Sequence, residues 1–172
     1  MPIYALGDLV PDIHPDAYVH PDAVLIGQVT LGPGASVWPT AVLRADSDRI
    51  VVGARTSVQD GTVIHTTTGE PTLIGEGCTI GHNVHLEGCV IGDGALIGSS
   101  SVVLNLAEVG AGALVGAGAV VSNKVVVPPL ARALGVPAKI TEDAVRPGAF
   151  AAAAQHYVDR GALYKRDLRR LS

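Results

Sequence analysis

Aromatic residues are nearly missing from this chain: they make up 3% of its 172 residues, with one Trp and one Phe. A core must therefore be built from Val, Ile, Leu and Ala. Cysteine is almost as scarce. Cys78 and Cys89 are the only two, which fits neither a disulfide framework nor a metal knuckle and suits small buried thiols in a reducing compartment. Basic residues are not in excess. The net charge of −4 gives no reason to expect a nucleic-acid partner. No apolar run approaches a membrane span, and the N-terminus lacks the basic and apolar regions of a secretion signal. The expectation is a cytoplasmic protein without a membrane partner, and 172 residues are one domain's worth of chain.

What the chain has instead is a beat of six. Ile74-Gly-Glu-Gly-Cys-Thr is followed by Ile80-Gly-His-Asn-Val-His, Ile91-Gly-Asp-Gly-Ala-Leu, Ile97-Gly-Ser-Ser-Ser-Val, Val109-Gly-Ala-Gly-Ala-Leu and Val115-Gly-Ala-Gly-Ala-Val. An aliphatic residue opens each unit and another small residue sits four places on. Period six fits neither a helix nor an alternating strand, and it signals a β-solenoid. The 21 Gly and 11 Pro, which without a period would suggest disorder, are phased with the aliphatic residues.

The openers are Ile13, Val19, Leu25, Leu31, Val37, Leu43, Val52, Val58, Ile64, Ile74, Ile80, Leu86, Ile91, Ile97, Val103, Val109, Val115, Val121 and Val127. The two long gaps predict loops bulging out of the coil around Asp46-Ser47-Asp48-Arg49 and Thr68-Gly69-Glu70-Pro71. One side cannot bury its opener alone, but stacked turns form a continuous ladder. Val127-Pro128-Pro129 ends the beat and Gly135-Val136-Pro137-Ala138 reads as a connector. The division expected is a β-helix over 1–135, then a connector and C-terminal helix over 136–172. That helix is predicted from about Pro147, with Phe150, Ala154, Tyr157, Gly161, Tyr164, Leu168 and Leu171 on one face packed against the coil.

With three sides per turn, every third opener shares a column, so Leu43, Ile64 and Leu86 stack. The residues after them point outward, which places Arg44, His65 and Glu87 about 5 Å apart in a column. His82 stacks on Asp60 on the adjacent side, just before a corner. Two imidazoles and a carboxylate with an open fourth position are a known catalytic zinc set, and zinc makes bound water acidic enough to act at neutral pH. Within one chain His82 lies round a corner from His65 and Glu87. A three-fold assembly would bring His82 of one chain against the other two residues of its neighbour. His85, also outward, is the alternative third ligand. His14, His20 and His156 are expected to be surface residues.

The run Leu43-Arg44-Ala45-Asp46, Ser57-Val58-Gln59-Asp60-Gly61, Val63-Ile64-His65, Ile80-Gly81-His82 and Gly88-Cys89, with a C-terminal helix carrying Tyr157, resembles the γ-class carbonic anhydrases over nearly the whole chain. The resemblance implies a left-handed parallel β-helix and a homotrimer with Zn2+ (Fe2+ or Co2+ as substitutes) between subunits. It implies metal ligation by His65, by His82 of the neighbour and by position 87. Arg44 and Asp46 match interfacial and substrate-side residues, Gln59 the residue that orients the attacking oxygen, and Tyr157 a helix tyrosine near the site. Asp60 joins Arg44, Gln59 and Tyr157 in the expected catalytic group, with CO2 and bicarbonate as substrate and product.

Position 87 departs from that pattern, being Glu where active members carry His. An anionic ligand reduces the Lewis acidity of the metal. Ser57 replaces an asparagine, and Glu70 is the one carboxylate in the 66–73 loop. Two other functions stand beside CO2 hydration: acyl transfer from acyl-CoA with a histidine base, and a non-catalytic trimer that binds a metal or small ligand.

Overall fold

The computed structural model describes residues 2–171. They form a left-handed parallel β-solenoid of about 7 turns with a single C-terminal helix. The period-six pattern is the reason. Every opener from Leu25 to Val127 is at most 3% exposed, and together they line the interior as one continuous ladder. Ile13 and Val19, in the first turn, are only half-buried because that end of the ladder is covered from one side. The position two before an opener is also interior and is filled by small residues, among them Ala23, Ala41, Ala95, Ala113 and Ala131. Cys78 and Cys89 take this same small position as free thiols. Burial pushes their pKa values to about 11 and about 12, as expected of packing groups rather than nucleophiles.

Three sides close the prism. One stacks Tyr18–Val19, Ser36–Val37, Ser57–Val58, Thr79–Ile80, Leu96–Ile97, Leu114–Val115 and Arg132–Leu134 in parallel order. A second stacks Val63–His65, His85–Glu87, Val102–Val103 and Val120–Val121, and a third Thr72–Ile74, Val90–Ile91, Glu108–Val109 and Val126–Val127. The strand Val42–Val52 joins the second and third sides. Its first residues pair with Val63–His65 and its last with Thr72–Ile74.

That strand corrects one expectation. The segment Asp46-Ser47-Asp48-Arg49 is not a loop leaving the coil but part of a continuous strand. The register passes from Gly27 opposite Ala45 to Val29 opposite Ile50, so the extra residues are absorbed as a bulge. Thr66 helps to keep it in the sheet by accepting a hydrogen bond from the Asp48 amide at 3.0 Å. The second excursion is a turn as expected, with Thr67 and Glu70 bridged antiparallel across it. The β-structure also runs past residue 135: Lys139–Thr141 pairs antiparallel with Arg132–Leu134 and covers the last edge of that side.

Corners recur three residues past an opener, in the left-handed region of backbone space. Several are not glycine: Thr40, Arg55, Asn83, Ser100, Leu106, Lys124 and Leu130 have φ between 55° and 63°. Such a residue costs about 1–2 kcal/mol, and asparagine tolerates the region best among non-glycine residues. Leu106 is 47% exposed, so its side chain gives little packing in return. Leu106→Asn is expected to stabilise the fold by about 1 kcal/mol, read as a raised melting temperature; an unchanged or lowered one would contradict the strain argument.

The helix spans Ala151–Asp167, four residues later than Pro147 suggests. Gly148 has φ 72°, and Phe150 at the N-cap is not helical, so Pro147–Phe150 turns before the helix begins. Ala154 and Gly161 are its buried contacts. A Cβ on Gly161 would lie 3.4 Å from Tyr18 Cβ and 3.6 Å from Ser36 Cβ, which shows how closely the helix lies on the first side. Tyr157 and Tyr164 pack on Trp38, with ring centroids 5.7 Å and 5.1 Å away. Leu168 and Leu171 follow the helix end and are exposed, so the predicted face stops at Tyr164. Among the described residues no helix is long and apolar enough to cross a membrane.

Candidate metal centre

Alternation along two strands builds the cluster. Ile64 and Leu86 point inward with no exposed surface, so His65, His85 and Glu87 point outward. The strands pair in parallel with Leu86 beside Ile64 and Glu87 beside His65, which sets the carboxylate directly over the imidazole. Arg44 lies beneath His65 in the same column. Glu87 Oε2 is 3.3 Å from His65 Nε2 and 3.5 Å from His85 Nε2. One donor atom from each of the three residues lies within 4.8 Å of the others. Among the described residues this is the one such convergence of His, Cys, Asp and Glu.

These distances test whether the residues suit a metal. Two ligands each about 2.1 Å from a tetrahedral ion stand about 3.4 Å apart. A charge-assisted hydrogen bond would be shorter, at about 2.7–2.9 Å. Glu87 Oε2 thus stands about a tetrahedral edge from each imidazole nitrogen, and with all three half-buried donors within 4.8 Å of one another the set could hold a divalent ion. Burial opposes ionisation of Glu87, yet His65, Thr67 and His85 outweigh it and hold the carboxyl below its ordinary range. The folded state thus favours the anion, and the stability this contributes is full at neutral pH. It is lost as the pH falls through the lowered folded-state value.

His82 is not brought to this cluster within the chain. Its Nδ1 lies 3.0 Å from Asp60 Oδ2, the stacking expected from the repeat. Tyr157 belongs to this second group rather than to His65: burial raises its pKa, with the Asp60 charge adding to the effect. Gln59, one residue before Asp60, is 4% exposed. The Arg44 guanidinium pairs with Asp46 two residues on, within the same chain. His14 and His20 accept hydrogen bonds from the Asp16 and Asp22 amides and shape two corners of the first turns. His20 is largely covered, with a side chain 13% exposed, so it is not the plain surface residue expected.

Sequence reasoning missed Thr67, which touches the cluster, and Asn105, which touches Thr67. The Thr67 hydroxyl donates to Glu87 Oε1 at 3.1 Å, and Asn105 Nδ2 donates to Thr67 at 3.1 Å. Around the cluster the same face is apolar. Val24, Val42, Val63, His85, Val102 and Val120 follow one another in register.

Residues 71–105 match the family described as bacterial transferase hexapeptide (six repeats). A 105-residue stretch, 61% of the chain, is 41% identical to the carnitine operon protein CaiE of Escherichia coli O157:H7 and spans 54% of that protein. The chain thus spans about half the length of the curated relatives it matches. The solved structure of a hexapeptide transferase family protein from Anaplasma phagocytophilum is 31% identical, with a TM-score of 0.90 over 95% of this chain and 98% of the other. A putative acetyltransferase from Bacillus cereus is 32% identical, with a TM-score of 0.91 over 95% and 96%. A perosamine N-acetyltransferase from Caulobacter crescentus, in complex with CoA and GDP-perosamine, is 32% identical, with a TM-score of 0.58 over 78% and 58%.

Proposed function

The chain belongs to the hexapeptide transferase family, and from the side chains on its outward face we propose that it is a metal-dependent enzyme of the γ-carbonic anhydrase kind, hydrating CO2 reversibly. The observation that carries the proposal is the convergence of His65, His85 and Glu87, with their donor atoms within 4.8 Å on one outward face. Bound there, Zn2+, Fe2+ or Co2+ would supply Lewis acidity and an acidic water at neutral pH.

The chain's own residues do the rest. His65 and His85 offer neutral nitrogen donors and Glu87 an anionic oxygen. Arg44, one strand below His65 and paired with Asp46, would supply positive charge near a bicarbonate anion formed there. The valine stripe is the face we assign to a second copy of the chain in a three-fold assembly. In that assembly His82 of a neighbouring subunit, aligned by its Asp60, would approach the cluster.

The named relatives favour a second reading, acyl transfer, more than they favour hydration. On that reading His82 is the general base. Asp60 holds Nδ1 and leaves Nε2 to take the proton of an acceptor amine or hydroxyl as it attacks the thioester carbonyl of acyl-CoA, whose thiolate leaves.

Two assays on one preparation separate the readings. Metal-loaded protein is expected to hydrate CO2 in stopped flow, with the rate lost in His65→Ala. Absence of hydration in metal-loaded protein would overturn the first reading. Acceptor-dependent thiol release from acetyl-CoA by metal-free protein supplied with an amine or hydroxyl acceptor, abolished in His82→Ala, would establish the second.

A further inference from the structure

We infer that Glu70, Asn105 and Thr67 form a hydrogen-bond relay that fixes the Glu87 carboxylate, making Thr67 and Asn105 positioning residues of the metal centre. The inference rests on the metal reading above and concerns residues that lie outside the ligand set.

The polarity of the relay follows from what each group can do. The Glu70 carboxylate accepts at Oε2 from Asn105 Nδ2 at 2.8 Å. A carboxylate only accepts, so the amide nitrogen of Asn105 must face it. The second hydrogen on Asn105 Nδ2 goes to Thr67 Oγ1 at 3.1 Å. With that oxygen accepting, the hydroxyl proton of Thr67 goes to Glu87 Oε1 at 3.1 Å. One carboxylate oxygen is thereby held, and the other, Oε2, is turned to His65 and His85.

The relay joins places far apart in the chain. Thr67 and Glu70 lie on the excursion that interrupts the repeat, bridged across its turn by Glu70 N to Thr67 O at 2.8 Å. Asn105 lies two turns further along the coil. Gly88, with φ 54°, leaves the room in which they meet: a Cβ there would lie 2.9 Å from Asn105 Nδ2 and 3.1 Å from Glu70 Cβ. An excursion that reads as an interruption is thus a bracket over the ligand carboxylate. Outer partners of this kind orient ligands, and their loss commonly weakens metal binding by about 10–100-fold.

Competition with a chelating indicator gives the Zn2+ affinity of the full chain, and the visible spectrum of Co2+ reports its ligand field. Thr67→Val is expected to weaken Zn2+ binding by about 10–100-fold and to shift the Co2+ bands. Thr67→Ser, which keeps the hydroxyl, is expected to bind within about threefold of the natural protein. Asn105→Asp, which turns an acceptor toward Glu70, is expected to weaken binding as Thr67→Val does. Unchanged affinity in Thr67→Val, or no recovery with serine, overturns the relay while leaving the metal reading intact. Should the natural protein bind neither ion, the metal reading falls, and crystals of the metal-free proteins decide the relay. A Glu87 carboxylate that turns away in Thr67→Val supports it, and one that keeps its place overturns it.

Discussion

His65→Ala is expected to weaken Zn2+ binding by about a hundredfold or more while leaving the coil's thermal stability within about 1 kcal/mol. The magnitude follows from sharing the binding energy of a zinc site, about 10–16 kcal/mol, among four ligands, so that each contributes about 3 kcal/mol. The small stability effect follows from geometry. His65 is outward and half-buried, whereas its neighbour Ile64 carries the interior contact. Calorimetric titration with Zn2+ and a thermal melt read the two halves separately. Undiminished affinity would remove His65 from the ligand set.

Ile64→Ala, one residue earlier, is expected to do the reverse. Ile64 has no exposed surface and sits in the opener column between Leu43 and Leu86. Truncating such a side chain costs about 2–5 kcal/mol, depending on how far the neighbours close the cavity. A solenoid cannot easily collapse around the gap, because each turn is fixed by hydrogen bonds to the turns on both sides. Chemical denaturation should therefore show a loss of that size, while the folded fraction still binds metal. Two adjacent residues with opposite effects are what period-two alternation on an exposed strand requires. A loss below about 1 kcal/mol would mean that the opener ladder does not hold the coil together.

The opener ladder was fully legible because an aliphatic residue every six positions leaves no other way to bury so many small apolar side chains. The His82–Asp60 contact was legible for the same reason: once the repeat is phased, residues two past Val58 and Ile80 must stack. Where the beat breaks, the reading weakens. Asp46-Ser47-Asp48-Arg49 has turn composition, yet its backbone stays in the sheet as a bulge, because pairing with the neighbouring strand resumes after a register shift that absorbs the extra residues. Arg44 finds Asp46 two residues away, a local pairing that column arithmetic does not consider.

His85 shows what a repeat leaves open. The pattern sets it outward with Glu87, but only the distance from Glu87 Oε2 places it in the cluster. Thr67 and Asn105 were beyond reach, since they are 38 positions apart and one of them lies inside an excursion where the count of six lapses. Pro147, a good first-turn residue, suggests too early a helix start, because Gly148 takes a left-handed conformation that a helix cannot include.

His65 and Glu87 are expected to hold a divalent ion. Metal analysis of protein grown with added zinc, iron and cobalt, followed by anomalous diffraction at the absorption edge of whichever metal is found, tests this most directly. One ion per chain, within ligand distance of His65 Nε2 and Glu87 Oε2, is the result predicted. A metal-free protein, or an ion held elsewhere with the His65 and Glu87 side chains unengaged, would contradict it.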